Sequence, residues 1–399
     1  MDPVFFLHIP KTAGTSLRLW LKQAMPEVGS EDLFFVEDIA RTPDESLCAR
    51  SLLAAHAGVD VLDRLARLRP AVRSLTVLRE PAAHTSSAWA YYRGLSQRVL
   101  TELDQSDPWL AALVRSIKAA EGFQIFATSP EWPNRFAGFQ TRYIATGIAS
   151  EASALPMAPP DLIKARTRLT GLTAFGLVEH PVRTAALFCQ ALGWPWLGPF
   201  GDHNPGPVDR PAPSEASAAD MEMDAGLYTF ASALFEHRWA DLCARMGADP
   251  AAPDGGLAVV ADGLDREALA AMAPVRSGWT GVEDGLFARG LGERFFYEPE
   301  GRWLRNLTGE MTLFVPCPAG ARRLSLCFGY LLPDPEKVSL RLNRKATPFD
   351  IRYELEPGGA WRFWLETEAP VDKVNAVAAT VSGVTDVNVQ GSFLGFAVA

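Results

Sequence analysis

The sequence predicts an α/β fold with a mostly parallel sheet flanked by helices, followed by a C-terminal antiparallel β-sandwich domain. Two observations carry this. Over the first 80 residues short apolar runs alternate with segments of helical spacing, the pattern of strand-helix-strand units whose sheet is covered on its faces. Beyond residue 280 the texture changes to short runs of β-formers separated by turn residues, at the spacing of a sandwich.

In order, residues 4–9 are the first strand candidate and 15–24 the first helix. Apolar runs at 33–36 and 51–55 follow, then a helix over 61–68 and a buried strand over 74–78. Residues 82 to about 145 read as helices broken near Pro108 and Pro130, and after a proline-rich stretch at 155–160 another helix covers 182–192. Pro205, Pro207, Pro211 and Pro213 make 203–214 an extended loop, and 217–246 returns to helical spacing. Residues 249–280, rich in Ala, Pro, Gly and Asp with a short helix around 266–272, read as a linker. The later strands are expected at 294–297, 303–315 with a turn at Thr308-Gly309, 323–331, 337–342, 349–355, 361–366, 374–381 and 392–398. The domains expected are therefore 1–248 and 281–399, joined by 249–280.

A chain of 399 residues exceeds one ordinary core, and 48% apolar with 21% charged residues is a globular composition rather than a disordered one. The five cysteines are scattered without a C-x-x-C pair, so they read as buried thiols rather than a disulfide frame or zinc site, and no other metal-ligand cluster stands out. Val4 to Leu7 is too short for a secretory core, and no apolar run approaches the ~20 residues of a membrane helix. A cytoplasmic protein with no membrane span is expected. The net charge of −9 is spread along the chain, which argues against nucleic acid as a partner and requires a local basic groove for any acidic ligand.

The chemistry concentrates in Lys11-Thr12-Ala13-Gly14-Thr15-Ser16, which follows a strand and opens a helix. Backbone N–H groups there face one point and favour an anion; Gly14 permits close approach, Thr15 and Ser16 add hydroxyl donors, and Lys11 adds a full charge. A plain strand-to-helix turn would also carry several of these residues. The order of residues excludes a nucleotide-triphosphatase loop, in which lysine stands just before the hydroxyl residue; here Lys11 precedes the glycine by three positions. A second cluster is Arg79-Glu80-Pro81 after the 74–78 strand, with Ser87 eight residues past the arginine and Tyr91-Tyr92 beyond. A guanidinium fork at a strand end suits phosphate.

The run His8 to Ser16 resembles the N-terminal loop of sulfotransferases dependent on 3'-phosphoadenosine 5'-phosphosulfate (PAPS), in the branch of the glycan 2-O-sulfotransferases and their bacterial relatives. It matches the form H-I-P-K-T-A-G-T-S at every position. The Arg79-Glu80-Pro81 and Ser87 cluster matches a second motif of that family, with His84 where a basic residue is usual. Phe139 to Tyr143 is similar to an N-x-Q-T-R segment, with Gly138 replacing Asn; Phe175 to Glu179, Asn204, and Asp224 to Tyr228 follow the family's order. The resemblance spans about residues 3–245. It implies a P-loop-like sheet and PAPS as cofactor without a metal, with 3'-phosphoadenosine 5'-phosphate (PAP) as product. It also implies binding of the 5' side by residues 11–16 and of the 3'-phosphate by Arg79 and Ser87.

The activity implied is sulfuryl transfer to a hydroxyl of a carbohydrate or glycolipid, with Lys11 stabilising the leaving oxygen. The base expected is His56, which follows the 51–55 run at the sheet's C-terminal edge, where ligands of open α/β folds bind. The family also takes its base histidine from between the two phosphate motifs. The rival base is Glu37, or its neighbour Asp38, at the end of the 33–36 run. His8 reads as structural. The alternative function is a non-catalytic nucleotide- or glycan-binding protein on the same fold. Trp279 at the end of the linker and Tyr297, Trp303, Tyr330, Trp361 and Trp364 within 281–399 either fill a core or stack on sugar rings in a glycan-binding accessory domain.

Overall fold

The computed structural model describes residues 2–25, 36–106, 108–123, 138–147, 157–201, 221–252, 254–272, 278–281, 287–297, 302–316, 323–329, 337–343, 345–355, 361–368, 376–382 and 392–398. The chain divides into two compact units. The first comprises Met1–Arg18, Asp32–Leu187 and Phe200–Asp241; the second comprises Leu19–Glu31, Phe188–Pro199 and Leu242–Ala399.

The first unit is built on four parallel strands, β1 (Val4–Leu7), β2 (Leu52–Ala55), β3 (Arg73–Leu78) and β4 (Ala174–Leu177), in the order β2-β1-β3-β4. All four residues of β1, β2 and β4 are buried, as expected of strands covered on both faces. Between them run α1 (Gly14–Ala24), α2 (Val36–Arg41), α3 (Asp44–Cys48), α4 (Val59–Leu68), α5 (Pro81–Gly94), α6 (Gln97–Ser106), α7 (Pro108–Ala119), α8 (Phe139–Ala145) and α9 (Pro159–Gly171). After β4 come α10 (Pro181–Leu192) and α11 (Glu222–Met246).

One local reading changes. Val36 opens helix α2 rather than closing a strand, and the place beside β1 is taken by Leu52–Ala55; residues 33–35 lie outside the described ones. The break expected near Pro108 forms: α6 ends at Ser106 and Pro108 begins α7, where its missing N–H costs nothing. The runs at 4–9, 51–55 and 74–78 supply strands Val4–Leu7, Leu52–Ala55 and Arg73–Leu78.

The strand order fixes where a ligand can sit. From β1 the chain moves to β2 on one side, and from β3 it moves to β4 on the other, so the connections diverge from the C-terminal ends of β1 and β3. This is the switch point at which open α/β sheets hold ligands. The segments 8–16 and 79–87 both leave from it.

In the second unit, residues 249–280 hold a fifteen-residue helix, α12 (Leu257–Ala271), instead of a short one near 266–272. It packs: Val260, Ala261, Leu264 and Ala268 are buried, and buried Asp265 accepts the Trp196 N–H at 2.9 Å. Ten antiparallel strands follow: β5 (Gly278–Gly281), β6 (Ala288–Tyr297), β7 (Arg302–Pro316), β8 (Arg323–Gly329), β9 (Ser339–Leu342), β10 (Lys345–Ala346), β11 (Asp350–Leu355), β12 (Trp361–Glu368), β13 (Ala376–Ser382) and β14 (Ser392–Val398). Thr308-Gly309 is not a hairpin turn. The register with β6 jumps from Leu291↔Leu307 to Arg289↔Thr312, so these residues form a bulge within one strand. The bulge lets β7 pair with β14 at Arg305 and Asn306 and with β13 from Met311 onward. Alternate residues of these strands, including Leu313, Leu326, Phe328, Phe363, Val381 and Phe393, form one core.

Among the described residues, no helix is long and apolar enough to cross a membrane. Cys189, Cys243 and Cys327 are buried free thiols and Cys48 is a half-buried one; Cys317 lies outside the described residues.

Candidate functional site

The turn leaving β1 holds two non-glycine residues in the left-handed region, Lys11 at φ 70° and Ala13 at φ 61°. Each costs roughly 1–2 kcal/mol, and such strain persists only where the surroundings impose it. Thr12 and Gly14 have negative φ, so the sign alternates along the turn and successive N–H groups are brought to one side, a concavity suited to an anion. The first bond inside α1 runs from Leu17 N–H to Ala13 O, which leaves the amides of the helix's first turn directed out of its end. Ser16 is buried in that turn and Thr15 half-buried. Thr12 serves the turn itself: fully buried, its hydroxyl donates to Ile9 O at 2.7 Å.

Two histidines stand behind this turn because of strand register. Leu7 of β1 pairs with Ala55 of β2, so the next residues, His8 and His56, emerge side by side, with ring centroids 4.3 Å apart. His8 is buried and stacked on Phe6 at 5.3 Å. Gly14 makes room for it, since a Cβ there would fall 1.7 Å from His8 Nε2. The glycine is thus required by the imidazole, not by its own φ. Burial, followed by the charges of Lys11 and Arg18, pulls the His56 imidazole down to about 4; burial, His56, Arg18 and Lys11 hold His8 well below the ordinary range. Both rings are neutral at pH 7, in a setting already positive from Lys11 and Arg18. Arg18 was not singled out in the sequence, although it lies one helical turn after Gly14.

The second motif closes over the first. Arg79 follows β3 and donates from Nη1 to Lys11 O at 3.1 Å. Glu80 caps α5, accepting Ala82 N–H at 3.1 Å and Ala83 N–H at 2.6 Å, and Pro81 takes the first helical position. These two residues set the direction of α5. Its face His84, Ser87, Tyr91, spaced three and four apart, looks at the loop. His84 Nε2 lies 2.9 Å from Pro10 O, and because a carbonyl only accepts, Nε2 carries the hydrogen. The Lys11 ammonium sits 4.0 Å from the Tyr91 ring centroid. Ser87 lies between these contacts, buried, on the same face. His84 supplies no cation: burial brings it down to about 4, outweighing its bond to Pro10.

Arg79 is fixed from behind. Gln140 of α8 accepts the Arg79 N–H at 2.9 Å and donates to Arg79 O at 2.8 Å. Asp224 of α11 in turn accepts Gln140 N–H, Thr141 N–H and the Thr141 hydroxyl, at 3.1, 2.8 and 2.7 Å. Burial pushes the Asp224 carboxyl up, while these donors and Arg142 pull it back. Glu179, after β4, accepts Glu80 N–H at 2.9 Å and the Tyr228 hydroxyl at 2.8 Å. The faint segments around 139–143, 175–179 and 224–228 therefore act as scaffolding for Arg79 and Glu80.

Lys11, Ser16, His56, Arg79 and Ser87 all lie around the switch point. Glu37 is the second residue of α2, and the run expected just before it, residues 33–35, lies outside the described residues. Taken together, the site offers backbone amides, hydroxyls and two cations to an anion, beside a neutral imidazole. Comparison with known proteins gives no match to a protein-family model or to a curated protein.

Proposed function

We propose that the chain is a PAPS-dependent O-sulfotransferase acting on a hydroxyl of a carbohydrate or glycolipid. The observation that carries this reading is the Arg79 Nη1 to Lys11 O bond at the switch point, which joins the two anion-binding motifs into one site. A nucleotide with phosphates at both ends of its ribose needs two such places a short distance apart. The donor set suits it: the Lys11–Ser16 turn for the 5' side, Arg79 and Ser87 for the 3'-phosphate. On this reading the parallel sheet is P-loop-like.

PAPS supplies a sulfuryl group on a phosphosulfate bond. Lys11 places its charge where the bridging oxygen becomes negative as that bond breaks, so it stabilises the transition state more than the bound ground state. His56 accepts the proton of the acceptor hydroxyl as the new oxygen–sulfur bond forms; burial and the charges of Lys11 and Arg18 weaken it as a base until the bound anion offsets those charges. Gln140 and Asp224 keep Arg79 in place, and His84 keeps the turn in place. Residues 281–399 we read as an accessory β-sandwich; the β7 bulge, which passes the strand from β14 to β13, supports two layers joined at a corner.

The test begins with calorimetry using PAP. Binding is expected, with Arg79→Ala and Ser87→Ala each weakening it roughly tenfold or more. Unchanged binding in both variants, or none in the wild type, overturns the assignment. With labelled PAPS and an oligosaccharide panel, His56→Ala is expected to lower turnover by roughly 10²–10⁴ while PAP still binds. If His56→Ala is unaffected and Glu37→Gln is inactive, the base is Glu37.

A further inference from the structure

We propose that Tyr91 is a positioning residue for Lys11: its ring holds the ammonium at the edge of the β1–α1 turn and thereby sets where the lysine's charge is delivered. The inference rests on the sulfotransferase reading for what that charge does, and on geometry alone for the contact.

Lys11 leaves the backbone from a left-handed position, so the direction of its stem is set by the strained turn. At the far end, Nζ lies 4.0 Å from the Tyr91 centroid, within cation–π range. Tyr91 is in turn placed by the same face of α5 that puts His84 on Pro10 O. The two ends of the lysine are thus fixed by separate devices. Arg79 grips its carbonyl, and Tyr91 meets its ammonium.

A ring takes one side of an ammonium and leaves its other N–H donors for an anion, so the contact and a bound phosphosulfate are compatible. The ring narrows the rotamers open to a four-carbon stem. Tyr91 is 41% exposed, so core packing alone does not account for its place. Its hydroxyl is not required for the contact, which separates the ring's role from a proton-transfer role.

The experiment compares Tyr91→Leu with Tyr91→Phe. Lysines are reductively dimethylated with ¹³C and the Lys11 signal is assigned by its loss in Lys11→Arg. In the nucleotide-free wild type and in Tyr91→Phe that signal is expected upfield from ring current, and in Tyr91→Leu at the ordinary lysine position. This readout does not depend on any enzymatic activity. Turnover with PAPS is then expected to fall roughly two- to fivefold in Tyr91→Leu, the equivalent of an exposed cation–π contact, with KM for PAPS changing less than kcat and Tyr91→Phe restoring both. An unshifted Lys11 signal in the wild type overturns the proposal, as does Tyr91→Phe being as impaired as Tyr91→Leu. Upfield shift without PAP binding leaves the contact standing and removes the sulfotransferase reading instead.

Discussion

Gly14 and His8 are packed so closely that a methyl group on Gly14 would lie 1.7 Å from Nε2 and 1.8 Å from Cδ2 of the imidazole. The ring has no easy escape, being stacked on Phe6 and set against His56. Gly14→Ala is therefore expected to destabilise the α/β unit by roughly 1–3 kcal/mol and to weaken PAP binding by displacing the turn. Adding His8→Ala removes the obstacle, so the double variant should lose less stability than the two single losses combined. Denaturant unfolding of the four proteins measures this coupling, and strict additivity would show that the two residues do not meet in the way described.

Much of the site is legible in sequence because it is local. The turn, its lysine, the Arg79-Glu80-Pro81 cap and the Ser87 spacing each span fewer than ten residues, and local chemistry dictates their form. The pairing of His8 with His56 is legible only once register is known, since a one-residue slip between β1 and β2 would part them. Gln140 and Asp224 were faint because their contacts join residues 84 apart in the chain, and no periodicity encodes that. The same limit explains the β7 bulge. Thr308-Gly309 is turn chemistry by itself, and only the strands on either side make it a bulge. Helix α12 has the Ala, Gly and Asp content of a linker, whereas burial of Val260, Leu264 and Asp265 makes it a packed helix.

Asp224 should behave as a structural residue with a functional shadow. It is fully enclosed, and its removal strands the Gln140 and Thr141 donors. Asp224→Ala is expected to cost roughly 3–5 kcal/mol, read by chemical denaturation. Because Gln140 then loses its anchor on Arg79, PAP affinity in the variant at low temperature should also fall. A stable variant with wild-type affinity would disconnect Asp224 from the site.

Phe328 in the second unit offers a test of the antiparallel core. It is fully buried, stacked on Phe363 at 4.8 Å and edge-on to Phe393 at 5.4 Å. Phe328→Ala should cost roughly 3–5 kcal/mol in the unfolding of that unit, and Phe328→Leu markedly less. Equal losses would mean that ring volume is not what the core uses there.

Acid should destabilise the α/β unit through its buried imidazoles. His56 and His84 are each brought down to about 4, and His8 is lowered as well, in every case chiefly by burial. Unfolded, each takes up a proton near the ordinary imidazole value of 6.5. Between these limits the unfolded chain therefore holds protons that the folded chain does not. The histidines' contribution is present in full above about pH 6.5 and is lost as pH falls toward 4, at ~1.4 kcal/mol per pH unit for each such proton. Carboxylates titrate in the same range, and Asp224, raised by burial, acts in the opposite sense, so the raw slope is not diagnostic. The difference between wild type and His84→Gln is. Glutamine keeps a donor for Pro10 O and has no proton to take up, so its unfolding midpoint should approach or cross that of the wild type as pH falls from 7 to 5. Parallel curves for the two proteins over that interval would mean that His84 takes up its proton as readily in the fold as in the unfolded chain.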